Sequence, residues 1–403
     1  MSSIIQQLAT QQVWEEFLAH RLEKGRLNWR AFEAFDDFVE REEYLPVVEA
    51  IIAGGSLGLP TKRVLNKMGT GKKRVVYTFA PVEMTVLKVL ASLLYRYDSL
   101  FAPNCYAFRR GVRASDAVLK VHNAVRKGRY WAYKLDISNY FNSIPVEPLL
   151  AVLREVLHDD EMLYSFFERL LSDDRAIYND EIVREPRGAM AGLPIASFLA
   201  NLYMMDVDHH FHNKGVIYAR YSDDIILFAE TREKLEEYRT TILGFVEERG
   251  LKVNPSKEHI YSPDEAYEFL GFKCLGNQID IADSSIQKMK GKIRRRMHSL
   301  LRWRKRKGAS AERAMARLIG HFDKKFFDND EERELTWSRW YFPVINCANG
   351  LQTLDHYLQQ SVRVLATGKH NKANYRTTYN LMKQLGYRSL VHEYYDKREI
   401  NWS

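Results

Sequence analysis

The spacing of hydrophobic residues predicts helices towards both ends of the chain. Residues 1–50 carry apolar side chains at helical spacing, and Pro81 begins a second helical pattern. Between these two patterns, glycines and a proline interrupt residues 54–60, which predicts a loop. After residue 285 the pattern is again mainly helical.

The middle of the chain contains short apolar runs that predict strands. These runs cover residues 74–79, 131–137, 216–220, 225–229, 269–274 and 279–281. Longer patterns predict helices over residues 197–211 and 234–249, and Gly250 ends the second. Because helices flank a region of strands and interspersed helices, the predicted fold class is α+β.

The composition is that of a folded, soluble protein with more than one core. A chain of 403 residues exceeds one small core and predicts two or three compact subdomains. No apolar run approaches the roughly 20 residues that span a bilayer, and the first residues lack the pattern of a secretion signal. Three widely separated cysteines form no metal-spaced pair, which favours a reducing cytoplasm and argues against a zinc site.

Positive charge is concentrated in one segment. The net charge is +8, and eleven Lys or Arg residues lie between Gln287 and Gly308 with no acid among them. Apolar residues recur between these cations at helical spacing, which predicts a basic helix that docks on a core and presents cations to phosphates. The alternative is a solvated basic face without a ligand.

Three aspartates lie at the ends of predicted strands. Asp136 ends one buried strand, and Asp223 and Asp224 form the tip of a hairpin between two others. Adjacent acids repel, so their clustering on rigid strands predicts a cation between them. If the strands are neighbours, the three carboxylates can hold a pair of hard divalent ions. The alternative is a solvated turn and an unrelated strand-end acid.

Several motifs occur in the order found in bacterial reverse transcriptases. Tyr221-Ser222-Asp223-Asp224 resembles the Tyr-x-Asp-Asp box, and residues 136–141 resemble the first palm motif of that family. Gly192-Leu193-Pro194 resembles the signature between these two. Further resemblances lie upstream at Lys72-Lys73-Arg74, 79–81 and 106–111, and downstream at 250–257 and 269–272. Together the resemblance covers about residues 70 to 280.

The resemblance implies a right-hand polymerase with fingers, an antiparallel-sheet palm and a helical thumb. It implies N-terminal helices and fingers over residues 1–130 and a palm over 131–284, with a helical fingers insertion near 146–185. Residues 285–403 would form the basic helical thumb. This helical, aromatic and basic segment is similar to the corresponding segment of the defence-associated and abortive-infection groups of small bacterial reverse transcriptases.

The resemblance also implies a two-metal active site. Asp136 and Asp223 would be the principal ligands of two Mg²⁺ ions, or of Mn²⁺, with Asp224 beside them and Ile137 adding its main-chain carbonyl. Lys257 lies where the family has a lysine that protonates the departing pyrophosphate. Its alternative is an exposed loop lysine.

Other residues are predicted to contact the nucleotide. Lys73, Arg74 and Arg109 would grip the triphosphate, although each is also explained as a surface cation. Phe141 would exclude a ribose 2′-hydroxyl by its volume, and its alternative is a core phenylalanine.

Backbone shape is a further predicted contribution of the motif at 192–194. Gly192 and Pro194 would shape the backbone that lies against the template and the nucleotide. Many reverse transcriptases follow this proline with Gln-Gly, whereas this chain has Ile195-Ala196, which puts ordinary template-directed fidelity in doubt.

The predicted function is an RNA-directed or template-relaxed DNA polymerase that works in antiphage defence. Its implied partners are an RNA template or non-coding RNA, dNTPs, the DNA product, and a second copy or a second defence protein, with no membrane. The predicted nucleic-acid contacts are Tyr221, Arg294, Arg295, Arg302 and Arg304. Two alternatives stay open, an RNA-dependent RNA polymerase and a catalytically idle RNA-binding scaffold.

Overall fold

The computed structural model describes residues 2–23, 29–66, 73–327, 336–369 and 371–400. Lys72, quoted above for one of the motifs, lies outside these ranges. The chain divides into two compact units, Met1–Pro263 and Asp264–Ser403. The three-part division at residues 130 and 284 stays a prediction.

In its described residues, the first unit combines helices with two sheets. Its described helices are α1 (Ile4–Gln7), α2 (Gln11–Glu23), α3 (Trp29–Glu40), α4 (Leu45–Ile52), α5 (Pro81–Leu93), a 3-10 helix (Leu94–Leu100), α6 (Ala114–Val125), α7 (Tyr140–Ser143), α8 (Val146–Val156), α9 (Glu161–Ser172), α10 (Ala196–Tyr203), α11 (Met205–Asn213) and α12 (Arg232–Glu248). Its described strands are β1 (Thr61–Asn66), β2 (Lys73–Thr78), β3 (Trp131–Asp136), β4 (Arg175–Tyr178), β5 (Glu181–Arg184), β6 (Ile217–Tyr221), β7 (Asp224–Ala229) and β8 (His259–Tyr261).

The N-terminal helices form around an aromatic cluster. Trp14 of α2 is fully buried, stacks on Tyr44 at a centroid distance of 4.1 Å and donates its indole N–H to the Leu8 carbonyl. Phe35 and Phe38 of α3 pack on the same indole. The helical pattern predicted for residues 1–50 is therefore confirmed in the described part of that segment, and so is the helix that Pro81 begins.

One sheet is antiparallel throughout and has the order β6-β7-β3-β8. Along β3, Tyr133 and Leu135 are fully buried on one face, while Lys134 and Asp136 lie on the other. The other sheet has the order β2-β1-β4-β5 and includes one parallel pair, β1 with β4. These helices and largely antiparallel sheets confirm the α+β class.

A single helix over residues 197–211 was the wrong expectation. Two helices, α10 and α11, meet at Met204, whose φ of −112° and ψ of 9° lie outside the helical region. Asn201 and Asp208 both contact the guanidinium of Arg220. Residues seven apart in a continuous helix lie about 10.5 Å apart along its axis, so the break brings both side chains to one partner.

The segment near 146–185 is helical only in part. The segment contains the helices α8 and α9 and then a hairpin of β4 and β5, which a purely helical segment would not have; its assignment to the fingers stays a prediction. Asn179 and Asp180 at its tip have φ of 51° and 64°, as the two central residues of a type I′ turn do.

The second unit begins with a three-stranded antiparallel sheet and continues as helices. Its strands are β9 (Tyr267–Phe269), β10 (Phe272–Leu275) and β11 (Gln278–Ile281) in the order β11-β10-β9. Its described helices are α13 (Asp283–Lys307), α14 (Ala311–Phe326), α15 (Trp337–Tyr341), α16 (Asn349–Thr367), a 3-10 helix (Lys372–Arg376), α17 (Tyr379–Gln384) and α18 (Leu390–Ile400).

A single strand over residues 269–274 was also wrong. Leu270 and Gly271 have φ of 50° and 86° and turn the chain, so that Phe272 pairs with Phe269. The helical prediction after residue 285 is confirmed, because Met289, Ile293, Met297 and Leu300 form a buried seam along α13. No helix in the described ranges combines the length and the apolar character needed to cross a bilayer.

Asp355 of α16 anchors the start of α18. Its buried carboxylate accepts hydrogen bonds from the Tyr387 and Ser389 hydroxyls and from the main-chain N–H groups of Leu390 and Val391, at 2.7–3.1 Å. Asp355→Ala is therefore expected to lower the free energy of unfolding by about 2–4 kcal/mol, measured by urea titration. The control Asp323→Ala removes a partly exposed ion pair with Arg388 and should cost less than about 1 kcal/mol. Equal losses in the two variants would contradict this role.

Candidate active site

The structure brings the ends of β3 and β7 together. Asp136 pairs directly with Asp224 in the antiparallel ladder, so these two side chains leave the same face of the sheet. Asp223 lies in the two-residue turn between β6 and β7, and its carbonyl accepts the Ile137 N–H at 3.1 Å. Ser222, which begins this turn, has a φ of 61°, as the first central residue of a tight hairpin turn does.

Negative charge is concentrated at this turn. Burial raises the pKa of Asp223 to about 6, and the charges of Asp136 and Asp224 act in the same direction. Asp136 is itself only 3% exposed. The negative charge of these three aspartates is not fully compensated by nearby positive charge. A bound cation would reduce their mutual repulsion.

Two lysines lie among the acids. The Lys257 ammonium pairs with the Asp136 carboxylate, to which Asn254 also donates its side-chain N–H at 3.3 Å. The Lys134 ammonium lies 3.8 Å from Asp224. Burial lowers the pKa of Lys257, but the hydrogen bond and charge of Asp136, with Asp224 and Asp223, outweigh burial and raise it. Lys257 is thus held protonated beside the acids.

The donor set at this site suits a hard divalent cation. Mg²⁺ prefers oxygen ligands and in nucleotide enzymes takes one or two carboxylates together with substrate phosphates and water. Asp136 and Asp223 supply such oxygens. Within the described ranges, no three His, Cys, Asp or Glu side chains are arranged closely enough to surround one metal by themselves. The protein would therefore contribute a partial ligand set that substrate oxygens complete.

A fully buried ion pair lies next to the turn between β6 and β7 and contacts it. Arg220 and Asp208 are both 0% exposed, and Asp208 accepts from the Arg220 Nε at 2.9 Å and from the Tyr218 hydroxyl at 2.9 Å. The same guanidinium donates to the side-chain oxygen of Asn201 at 3.1 Å and to the Ser222 carbonyl at 3.4 Å. This network fixes the position of the residue immediately before Asp223.

Aromatic side chains line one side of the acids. Phe141 is half-buried in α7 and lies 5.7 Å from the Tyr140 ring and 6.2 Å from the Phe108 ring. Phe108 also lies 6.4 Å from Tyr221. Burial raises the pKa of Tyr221. Phe141 and Tyr221 are thus brought together through Phe108, which lies in the motif at residues 106–111 but was given no role of its own from the sequence.

Gly192 is required by a close approach to the other sheet. A Cβ at this position would meet the Tyr77 carbonyl at 2.7 Å, and the φ of 107° also disfavours any other residue. The neighbouring Ala191 accepts from the Tyr77 N–H at 2.8 Å and donates to the Asn142 side chain at 2.7 Å. The loop that contains Gly192 and the half-buried Pro194 is therefore hydrogen-bonded both to β2 and to Asn142, the residue after Phe141.

The three basic residues predicted to bind the triphosphate have different surroundings. Lys73 and Arg74 are exposed at the start of β2. Arg109 instead donates to the Asp98 carboxylate and to the carbonyls of Asp98, Ala102 and Cys105, with a side chain only 14% exposed. As placed, Arg109 braces the chain before Phe108 and does not offer its guanidinium to a phosphate.

The predicted cations of α13 also separate into two kinds. Arg294, Arg295 and Arg302 are exposed. Arg304 donates to the carbonyls of Leu365 and Ala366 at 2.7 and 3.2 Å, which satisfies the end of α16. Arg304 is thus a helix cap in this structure, and the other three present their charge to solvent.

Several contributors were not predicted from the sequence. Lys134 precedes Asp136 by two residues on one strand, so the period of two could have placed both on one face. Asn254 belongs to the motif at residues 250–257 and Asn201 to the helical pattern predicted over 197–211, but the roles of both depend on the fold. Nothing in the local pattern marks Asp208 and Arg220 as a buried pair, because charged residues in amphipathic segments are usually solvated.

A model of one protein family matches the segment that contains this site. Its description is "Reverse transcriptase (RNA-dependent DNA polymerase)", and it matches residues 64–274, just over half of the 403 residues. The matched span includes the acids, the aromatic side chains and Lys257 described above.

Curated relatives match over similar spans. A 91 kDa protein in the cob intron of Schizosaccharomyces pombe is 28% identical over 38% of this chain and 19% of its own length. The Escherichia coli retron Ec86 reverse transcriptase is 26% identical over 25% of this chain and 33% of its own. The Escherichia coli retron Ec48 reverse transcriptase is 24% identical over 53% and 52%. The matched regions thus span at most about half the length of these relatives.

Proposed function

This chain belongs to the reverse transcriptase family, and on that premise we propose that it adds deoxynucleotides to the 3′ end of a primer on an RNA template. The observation that carries the proposal is the placement of Asp136 opposite Asp224, with Asp223 in the adjoining turn. The departure at Ile195-Ala196 favours relaxed use of the template.

The three aspartates would hold the metal ions in fixed positions relative to the substrate. Asp136 and Asp223 would bind two Mg²⁺ ions, with Asp224 and the Ile137 carbonyl beside them. When bound, such ions activate a primer hydroxyl and neutralise the triphosphate. Lys257 keeps a proton beside Asp136, where it can be given to the departing pyrophosphate.

Phe141 would select the sugar of the nucleotide. A ring of this size beside the acids leaves less room for a 2′-hydroxyl, and extra atoms in a packed site typically cost 1–3 kcal/mol. Phe141→Val is therefore expected to raise NTP use relative to dNTP use by roughly tenfold to a hundredfold. Single-nucleotide incorporation would measure the ratio, with Phe32→Val in α3 as a volume-matched control. An unchanged ratio in Phe141→Val would leave Phe141 a packing residue.

Exposed cations would bind the nucleic acid. Arg294, Arg295 and Arg302 are suited to duplex phosphates, because arginine donates to phosphate oxygens in a fixed planar geometry. Lys73 and Arg74 are suited to the triphosphate. Tyr221 would contact the primer end, since it precedes Asp223 by two residues.

We further propose a role in antiphage defence with a non-coding RNA, in the cytoplasm and with a second copy or a second defence protein as partner. The similarity to bacterial retron reverse transcriptases supports an RNA-dependent role. An RNA-dependent RNA polymerase is the enzymatic alternative, and Phe141 argues against it. An idle RNA-binding scaffold is the other alternative, and the clustered acids argue against it, because acids repel the phosphates that a scaffold must bind.

The direct test is to purify the protein from its native host and to sequence the RNA and DNA that accompany it. The wild type is expected to carry newly made DNA and to incorporate dNTPs in preference to NTPs. The double variant Asp223→Ala plus Asp224→Ala is expected to bind RNA and to make no DNA. Equal amounts of DNA from both proteins would refute the polymerase proposal, and preferential NTP use would favour the RNA polymerase.

A further inference from the structure

Phe108 is an exposed aromatic residue at the edge of the candidate active site. It is 42% exposed, although its ring contacts both Phe141 and Tyr221. Phe141 follows Asp136 by five residues, and Tyr221 precedes Asp223 by two. A ring that touches both of these side chains therefore borders the space next to the acids, and part of it faces solvent.

The backbone of Phe108 is in a conformation that this residue type rarely adopts. Its φ is 58°, in the left-handed region, where a bulky residue is an outlier. Asparagine or glycine would adopt this conformation with less strain. Such strain persists where the surrounding structure imposes it, and it is concentrated at functional sites.

The surrounding structure does impose this conformation. The Ala107 carbonyl accepts from the Asn201 side chain at 2.8 Å, and the Tyr106 N–H donates to the Arg220 carbonyl at 2.9 Å. On the other side of Phe108, the Arg109 guanidinium is bound to Asp98 and to the Ala102 carbonyl. The segment before Phe108 is therefore anchored to α10 and to β6, the strand that leads into the turn with Asp223. The segment after it is anchored to the preceding 3-10 helix, so the backbone of Phe108 is held on both sides.

We propose that the Phe108 ring stacks on the base of the incoming nucleotide and is a nucleotide-positioning residue of this site. The inference rests on the proposed polymerase function and assigns to Phe108 the nucleoside part of its substrate. Stacking suits this task because every base has a π face, so one ring can serve all four nucleotides. A phenyl ring on a backbone that is already held in place also loses little conformational freedom on binding.

The test compares three variants in steady-state incorporation of each dNTP. Phe108→Asn removes the ring and suits the positive φ, Phe108→Trp keeps a stacking surface, and Trp29→Ala removes an aromatic side chain that is 68% exposed in α3. For Phe108→Asn we expect KM to rise about tenfold, more for purines than for pyrimidines, with a smaller change in kcat. Phe108→Trp should restore KM to near the wild-type value, and Trp29→Ala should not change it.

Thermal unfolding separates a binding role from a packing role. Phe108→Asn should melt at or above the wild-type temperature, because the strained position is relieved. A lower melting temperature with unchanged KM values would overturn the proposal and make Phe108 a packing residue. So would KM values that rise equally in Phe108→Asn and Phe108→Trp. If the wild type itself incorporates no nucleotide on any template, the polymerase function fails as well, a result distinct from an active wild type that is insensitive to Phe108.

Discussion

Asp223→Asn is expected to abolish nucleotide addition while leaving the protein as stable as the wild type, or more stable. Two-metal catalysis supplies several kcal/mol of transition-state stabilisation. Each 1.4 kcal/mol corresponds to about tenfold in rate, so we expect a loss on the order of a thousandfold or more. Primer extension at saturating dNTP would measure it.

The stability of this variant follows from the same electrostatics. Burial and the neighbouring acids raise the pKa of Asp223 to about 6, so its ionised form opposes folding at neutral pH. When folding raises the pKa of a carboxyl group, the protein loses stability as the pH rises from the pKa of that group in the unfolded state towards its pKa in the folded state. Replacing the carboxylate by a neutral amide removes that penalty, and we expect a gain of about 1–2 kcal/mol in the free energy of unfolding.

Asp180→Asn is the matched control, because Asp180 also lies at the tip of a hairpin, the one between β4 and β5. This control should change neither the rate of nucleotide addition nor the melting temperature. An Asp223→Asn protein that is inactive only because it unfolds would contradict the account, since the loss would then reflect packing and not charge.

Breaking the buried pair of Arg220 and Asp208 should have the largest effect on stability. Both side chains are 0% exposed, and removing one partner of such a pair leaves an uncompensated buried charge, which typically costs 3–5 kcal/mol. Asp208→Asn and Arg220→Met are each expected to lower the free energy of unfolding by about that amount. Urea unfolding would measure it.

The double variant separates pairing from general packing. Asp208→Asn plus Arg220→Met should cost clearly less than the sum of the single changes, because the second change removes the charge that the first left unpaired. Glu236→Gln serves as a control, since its ion pair with Arg232 is about 40% exposed and should contribute less than about 1 kcal/mol. Single variants whose effects simply add would contradict a coupled pair.

Activity should also respond to this pair. The Arg220 guanidinium contacts the Ser222 carbonyl. The main chain of Arg220 is hydrogen-bonded to that of Asn104 and Tyr106, just before Phe108. The single variants should therefore lose nucleotide addition even at temperatures where they stay folded.

The convergence of the acids could be predicted from the sequence because it depends on local pattern. Asp136 ends a buried strand and Asp223 lies in a turn between two more, so neighbouring strands suffice to bring the carboxylates together. The breaks at Met204 and at Leu270-Gly271 were missed, since each lies inside an apolar run that looks continuous.

The roles of individual cations could not be predicted, because they depend on tertiary contacts. Arg109 and Arg304 resemble phosphate ligands in sequence, yet their donors are directed at carbonyls in the fold. Phe108 lies in the motif at residues 106–111, but its role was missed for the opposite reason. Its positive φ and its exposure are properties of the backbone path and leave no pattern in the residue types around it.

The most direct test of the central claim measures whether divalent cations stabilise the protein through its acids. A ligand that binds only the folded state raises the melting temperature as its concentration rises. Millimolar Mg²⁺ or Mn²⁺, at constant ionic strength, should raise the melting temperature of the wild type and of Asp180→Asn. It should have no such effect on Asp136→Asn or Asp223→Asn. A wild type that does not respond to either ion, or equal responses in all four proteins, would contradict the claim that these carboxylates hold metal together.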